Sequence, residues 1–199
     1  MSECDCEFEI KDKKSTKEKN VLFWLMGINA SMFFVESIAG WFADSSGLIA
    51  DSLDMFADAM VYVSTFYVIG KPLASKKRSA YFSGILQLVL GVGVFVDVIR
   101  RTFTGSEPHS FWMFSISLLA LAANVICLML LTKHKEGEIH MRATWIFTKN
   151  DVLANAGVIV AGALVYLLHS RIPDLAIGAL IAAVIIKDSF KIFSEAWAA

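Results

Sequence analysis

Apolar residues in this chain run in blocks of about twenty, parted by short segments rich in charge or in turn formers. Six blocks are long enough to cross ~30 Å of hydrocarbon as helices: residues 21–43, 47–70, 80–99, 110–131, 143–169 and 173–195. The joints carry breakers or charges, at Asp44-Ser45-Ser46-Gly47, Lys71-Pro72 through Arg78, Thr104 through Pro108, Lys133 through Arg142, and Arg171-Ile172-Pro173. Basic residues are distributed unequally between the two sets of joints. The N-terminal tail with the second and fourth loops holds twelve Lys and Arg, whereas the first, third and fifth loops with their flanks hold Arg100, Arg101 and Arg171. Positive residues favour the cytoplasmic side, so both termini are expected there. The pattern therefore predicts an all-α membrane protein, with a cytoplasmic polar tail over residues 1–20 and a six-helix transmembrane domain over residues 21–199 of the inner or plasma membrane.

Composition agrees. Hydrophobic residues make up 56% of the 199-residue chain and charged ones 19%, too apolar for an ordinary soluble domain. A net charge of −1 leaves no basic footprint for nucleic acid. The first apolar run is too long for a signal-peptide core and lacks a clear small-residue cleavage site. The charged tail is expected to be disordered except where it meets lipid headgroups. In it, Cys4 and Cys6 could bind a soft metal as thiolates but make an incomplete site alone. Cys127, in the fourth span, reads as a small apolar packing residue.

Against this background the aspartates stand out. Asp51, Asp54 and Asp58 lie in the stretch GLIADSLDMFADAMVYVSTFYVIG, and Asp151 in FTKNDVLANAGVIVAGALVYLL. The first three, at i, i+3 and i+7, share one face of a helix, and no Lys, Arg or His in that stretch neutralises them. A carboxylate at mid-bilayer depth costs roughly 2.5–3.5 kcal/mol, so the set needs a compensating partner, most simply a cation. The bland alternative is hydrogen bonding to Ser or Asn across helices, which suits one such residue better than a file of them.

The run NASMFFVESIAGWFADSSGLIADSLDMFAD, from Asn29 to Asp58, resembles the first two helices of the cation diffusion facilitator family of divalent metal/proton antiporters. The family's second helix reads S-x-x-L-x-A-D-x-x-[HD]-x-x-x-D, and here Ser46, Leu48 and Ala50-Asp51 precede Asp54-x-x-x-Asp58. Its fifth helix often carries H-x-x-x-D followed by small residues and Gly-Val; the matching run here is Phe147 through Asp151 and on to Gly157-Val158. The resemblance implies metal ligation by Asp54, Asp58 and Asp151, an efflux activity and a homodimer. Two departures accompany it. Family members usually continue into a cytoplasmic metal-binding domain, whereas this sequence stops at Ala199, so a short form without that regulation is expected. The position of the fifth-helix His is Phe147, which cannot ligate.

Asp54 and Asp58 are one helical turn apart and can converge on one ion, with Asp151 arriving from a facing helix. Asn155, Asn150 or water can complete the set. Asp51 is a ligand, a supporting partner or part of the exit path, the last two ahead of the first. Oxygen ligands alone suit manganese, magnesium or calcium, yet zinc and cobalt also accept carboxylates. The resemblance puts zinc first, with cobalt, cadmium, manganese and iron behind it. No nucleotide-binding motif is present, and moving a divalent ion outward against 100 mV costs about 4.6 kcal/mol. Proton entry is the expected source of that work.

Other polar residues have simpler readings. Glu36 and Asn29, two turns apart, suggest interhelical hydrogen bonds ahead of metal binding. Lys149 faces largely away from Asp151 and is expected to snorkel or to line the cytoplasmic entrance. Asp97 with Arg100 or Arg101 reads as an anchoring pair near the outer interface. His109, His134, His140 and His169 lie in or beside loops, although His134 and His140 with Glu136 and Glu138 could gather metal at the cytoplasmic mouth. Neither a catalytic residue nor a bound cofactor is expected: an intramembrane aspartyl protease would need G-x-G-D, and the nearest run, Gly91 to Val94, ends in Val. The rival to a transporter is a degenerate relative acting as a metal-binding or accessory subunit.

Overall fold

The computed structural model describes the backbone of residues 3–69, 71–132 and 139–198; side chains at 3–15, 17–18, 139–144, 146–147, 195 and 198 lie outside the description. Six helices follow one another: α1 (Glu3–Phe42), α2 (Ser46–Val68), α3 (Leu73–Thr104), α4 (Ser110–Thr132), α5 (Ile139–Leu168) and α6 (Ile172–Ala198). Each predicted span corresponds to one of them, three of the spans running one or two residues past the helix end, and no strand occurs among the described residues. Two helices outrun their predictions. The tail expected to be disordered continues α1 from Glu3: Glu7 and Glu9 stand four residues before Lys11 and Lys13, and no Gly or Pro interrupts the run. Basic residues 76–78, assigned to a loop, instead lie in the opening turns of α3, which starts just after Pro72.

Four stretches are long and apolar enough to cross a membrane: Lys19–Phe42 within α1, Leu73–Thr104, Ser110–Thr132, and Thr148–Leu168 within α5. Although of spanning length, at roughly 34 and 40 Å, α2 and α6 have their hydropathy lowered by Asp51, Asp54 and Asp58 in one and Asp174, Lys187, Asp188 and Lys191 in the other. Packing explains why these two can carry charge. α2 is central and touches all five other helices; α6 lies against α3, α2 and α5; α1 and α4 complete the bundle beside α2 and α5. The large apolar side chains left exposed belong mainly to α1, α3, α4 and α5, among them Trp24, Phe34, Trp41, Phe95, Phe111, Met129 and Leu167. Such a surface suits hydrocarbon rather than water. The protein is a multi-pass, all-α integral membrane protein.

The interior is layered along α2. Near the α1–α2 loop, Leu48 and Ala50 pack with Val94, Val98, Met113, Val158, Ile181 and Ile185. Mid-way, Met55 meets Met32 and Ala120. Toward the other end, Tyr62 joins Leu22, Leu25, Cys127 and Leu131. The aspartates occupy the same stretch of α2, between these layers.

Candidate cation site

Asp51, Asp54 and Asp58 stand roughly 8, 12 and 18 Å along α2 from its start at Ser46, so the last two are near mid-depth. Asp51 and Asp58 are buried and Asp54 half-buried. Asp151, on α5, is buried too, with Oδ2 lacking a hydrogen-bond partner. Electrostatically these groups form one set: Asp151 interacts with Asp51, Asp54 and Asp58. Two further acids join it. Glu36 of α1, 0% exposed, interacts with Asp51 and Asp54, and Asp188 of α6 with Asp54 and Asp58. Among the described residues, no three His, Cys, Asp or Glu side chains are drawn together closely enough to hold a metal ion. The carboxyls line one polar interior without closing on a single point.

A hydrogen-bond chain connects the two helices that carry the aspartates. Tyr62, one turn beyond Asp58, donates its hydroxyl proton to Asp58 Oδ2 at 3.0 Å. Its oxygen lies 3.2 Å from Thr148 Oγ1 on α5. A phenol has one proton, and Asp58 takes it, so Thr148 is the donor to Tyr62. Thr148 precedes Asp151 by three residues on α5, so the chain ties Asp58 to the Asp151 turn.

The remaining sequence candidates fall into place around this core. Asn155 is fully buried; its Nδ2 donates to the Asp151 carbonyl at 2.9 Å, and its Oδ1 has no partner. Asn150 is half-buried, about 100° round α5 from Asp151. Lys149 is exposed, with Nζ 5.8 Å from the centre of the Trp145 ring, and so faces away as expected. Asn29 donates to Leu25 O at 2.9 Å and, across to α4, to Cys127 Sγ at 3.9 Å. Glu36 meets the Asp51 carboxyl across α1 and α2 at hydrogen-bonding range; two carboxyls share such a bond only through a proton on one of them, and no other donor reaches the Glu36 oxygens. The side chains of Phe147, Cys4, Cys6 and His140, and residues His134, Glu136 and Glu138, lie outside the described residues.

Three ion pairs stand at the α1–α2 loop end, and none of these uses Asp51, Asp54, Asp58 or Asp151. Asp97 pairs with both Arg100 and Arg101, as the sequence suggested, and Arg101 reaches Asp44 as well.

Tyr62, Thr148, Asp174 and Asp188 are not among the residues that the sequence marks. Glu36 carried the same signal as the aspartates, an acid inside an apolar run. Tyr62 at i+4 from Asp58 was legible from spacing. Thr148 gives no local signal, and Asp188, flanked by Lys187 and Lys191, resembles an ordinary solvated acid.

A six-helix membrane bundle with carboxyls gathered on its shielded central helix defines a class, a polytopic protein with an acidic interior suited to cations. The family model of the cation efflux transmembrane domain matches residues 22–199, and the chain belongs to that family. It is 24% identical over 182 residues to the zinc transporter ZitB of Yersinia pseudotuberculosis, covering 84% of this chain and 58% of that one. It is 20% identical over 191 residues to the cadmium, cobalt and zinc/H(+)-K(+) antiporter of Bacillus velezensis, covering 89% of this chain and 61% of the relative. With the probable zinc transporter MSC2 of Saccharomyces cerevisiae it shares 24% over 207 residues, 95% of this chain and 29% of that protein. The chain thus spans less than two thirds of the length of these relatives.

Proposed function

We propose that this protein moves a divalent metal cation outward across the membrane in exchange for protons, with zinc as the first substrate and Asp54, Asp58 and Asp151 as the ligands. The observation that carries the reading is the placement of buried Asp58 and Asp151 and half-buried Asp54 on the central helix and its neighbour, beside a buried Glu36 that no basic side chain pairs among the ion pairs described. Carboxyls so placed favour a mobile cation over a fixed partner. The names of the relatives point to zinc and, in one case, to proton exchange.

In this scheme the ion draws Asp54 and Asp58 of α2 toward Asp151 of α5, with Asn155, Asn150 or water completing its shell and Asp51 lining the route toward the α1–α2 loop. Protons arriving from that side convert carboxylates to carboxylic acids, which no longer hold the metal, and their departure on the opposite side restores the site. Both termini are cytoplasmic, the membrane is the inner or plasma membrane, and two copies pair within it. Equilibrium zinc binding to the purified protein tests the site: Asp54→Ala, Asp58→Ala and Asp151→Ala should each weaken binding by at least about ten-fold. Parental affinity in any one of them would overturn the assignment. Binding that depends on them without any zinc flux would instead indicate an accessory protein, the reading that Phe147 in place of the family's His favours.

A further inference from the structure

Asp174, at the start of α6, is fully buried and belongs to none of the groups above. Its Oδ1 accepts from Ser45 Oγ at 2.6 Å and from the Gly47 amide at 2.9 Å, and its Oδ2 from the Ser46 amide at 2.6 Å. Ser45, the N-cap of α2, accepts the Leu48 amide at 3.1 Å. A helix start leaves four amides without intrahelical partners, and an N-cap usually serves one or two with its own side chain. Here two of α2's first amides are served by a carboxylate from another helix, against the positive end of the α2 dipole.

The contact is close at backbone level. A methyl at Gly178 would lie 3.0 Å from Ser46 Cβ and 3.1 Å from its carbonyl carbon and oxygen; one at Gly47 would lie 2.9 Å from Ile177 Cγ2. The same corner is gripped from α3, where Arg101 donates from Nη1 to the Asp44 carbonyl at 2.9 Å, pairs with the Asp44 carboxylate, and donates from Nε to Asp97 at 2.6 Å. The start of α2 is therefore fixed on two sides, while its far half meets α5 through Tyr62 and Thr148. A helix transmits an axial shift along its length, and Asp54 lies only roughly 10 Å beyond Gly47.

We infer that Asp174 is a positioning residue for transport: by capping α2 from α6 it sets the height of α2, and so the register of Asp54 and Asp58 against Asp151. The inference rests on the site proposed above. It is tested with the full chain, purified in detergent, by measuring the equilibrium Kd for zinc together with the melting temperature, for Asp174→Ala, Asp174→Asn and Ser45→Ala, with Asp58→Ala as reference. Asp174→Ala should weaken zinc binding by about ten-fold or more. Asp174→Asn should fall between Ala and parent, because its amide oxygen still accepts one of the backbone bonds and its NH₂ can donate to Ser45 Oγ. A role confined to stability lowers the melting temperature and leaves the Kd of the folded protein at the parental value, which would overturn the inference. Should Asp174→Ala fail to fold, Asp174→Asn and Ser45→Ala decide on the same criterion. The reference variant separates the two ideas. Parental binding by Asp58→Ala sinks the site itself; loss there with parental Kd in the Asp174 and Ser45 variants sinks only the positioning role.

Discussion

Tyr62 shows how much a single hydroxyl can organise in a dry interior. Its proton goes to Asp58 and its oxygen receives Thr148, so one group orients a proposed ligand and bridges α2 to α5. Groups that orient ligands typically alter metal affinity by 10–100-fold when removed. Tyr62→Phe keeps the ring in its apolar layer and should weaken zinc binding by roughly that amount; titration of folded protein giving the parental Kd would show that Asp58 is oriented by other means. Phe147 sits four residues before Asp151, one turn back on the same helix. Phe147→His should raise zinc affinity relative to manganese, because imidazole suits zinc better than oxygen donors alone do. Competition binding checks it, and an unchanged ratio would mean that position 147 does not face the site. At this scale the sequence marked Asp54, Asp58 and Asp151 by spacing and family motif. It could not pair Tyr62 with Thr148, 86 positions away, nor reveal that Asp174 caps a helix 127 residues earlier, since such contacts have no local signature.

Helices were the most legible level. Hydropathy located each of the six, and the joints at Asp44 to Gly47 and Thr104 to Pro108 fell where helices end. Asp44 takes the left-handed conformation (φ 48°) just past α1, and the Ser45 amide reaches back to the Gly40 carbonyl at 3.1 Å, as in a Schellman closure. What hydropathy missed were polar extensions, the charged start of α1 and the basic start of α3, because helix propensity there is high while hydropathy is not. Between elements, small residues decide how closely helices approach, and two glycines of α3 do not act alike. A methyl at Gly91 would lie 2.8 Å from Ile186 Cγ1 and 3.2 Å from the Ile186 backbone nitrogen, whereas nothing stands within 4 Å at Gly93. Gly91→Ala should therefore destabilise the α3–α6 pair by roughly 1–3 kcal/mol, while Gly93→Ala should be neutral or stabilising by up to ~1 kcal/mol through helix propensity. Thermal unfolding in one detergent, followed by helical circular dichroism, compares them; equal losses would contradict the α3–α6 contact described.

As a whole, the molecule inverts the soluble pattern, with aromatic and aliphatic side chains outside and acids within. Only α2, in contact with every other helix, is shielded enough to hold three aspartates at and near mid-depth. Its lipid-facing neighbours offer a surface for the proposed pairing of two copies, through van der Waals fit and small residues. Mass measurement in mild detergent should find dimer, and monomer alone across a wide concentration range would count against it. The activity proposed is exchange of metal for protons through these carboxyls. Its most direct test is zinc entry into proteoliposomes containing the purified protein, with an imposed pH difference. An acidic lumen should drive zinc inward as protons leave, equal pH should slow it, and Asp58→Ala should abolish it while the protein remains inserted. Zinc entry that ignores the pH difference, or persists in Asp58→Ala, would contradict the account.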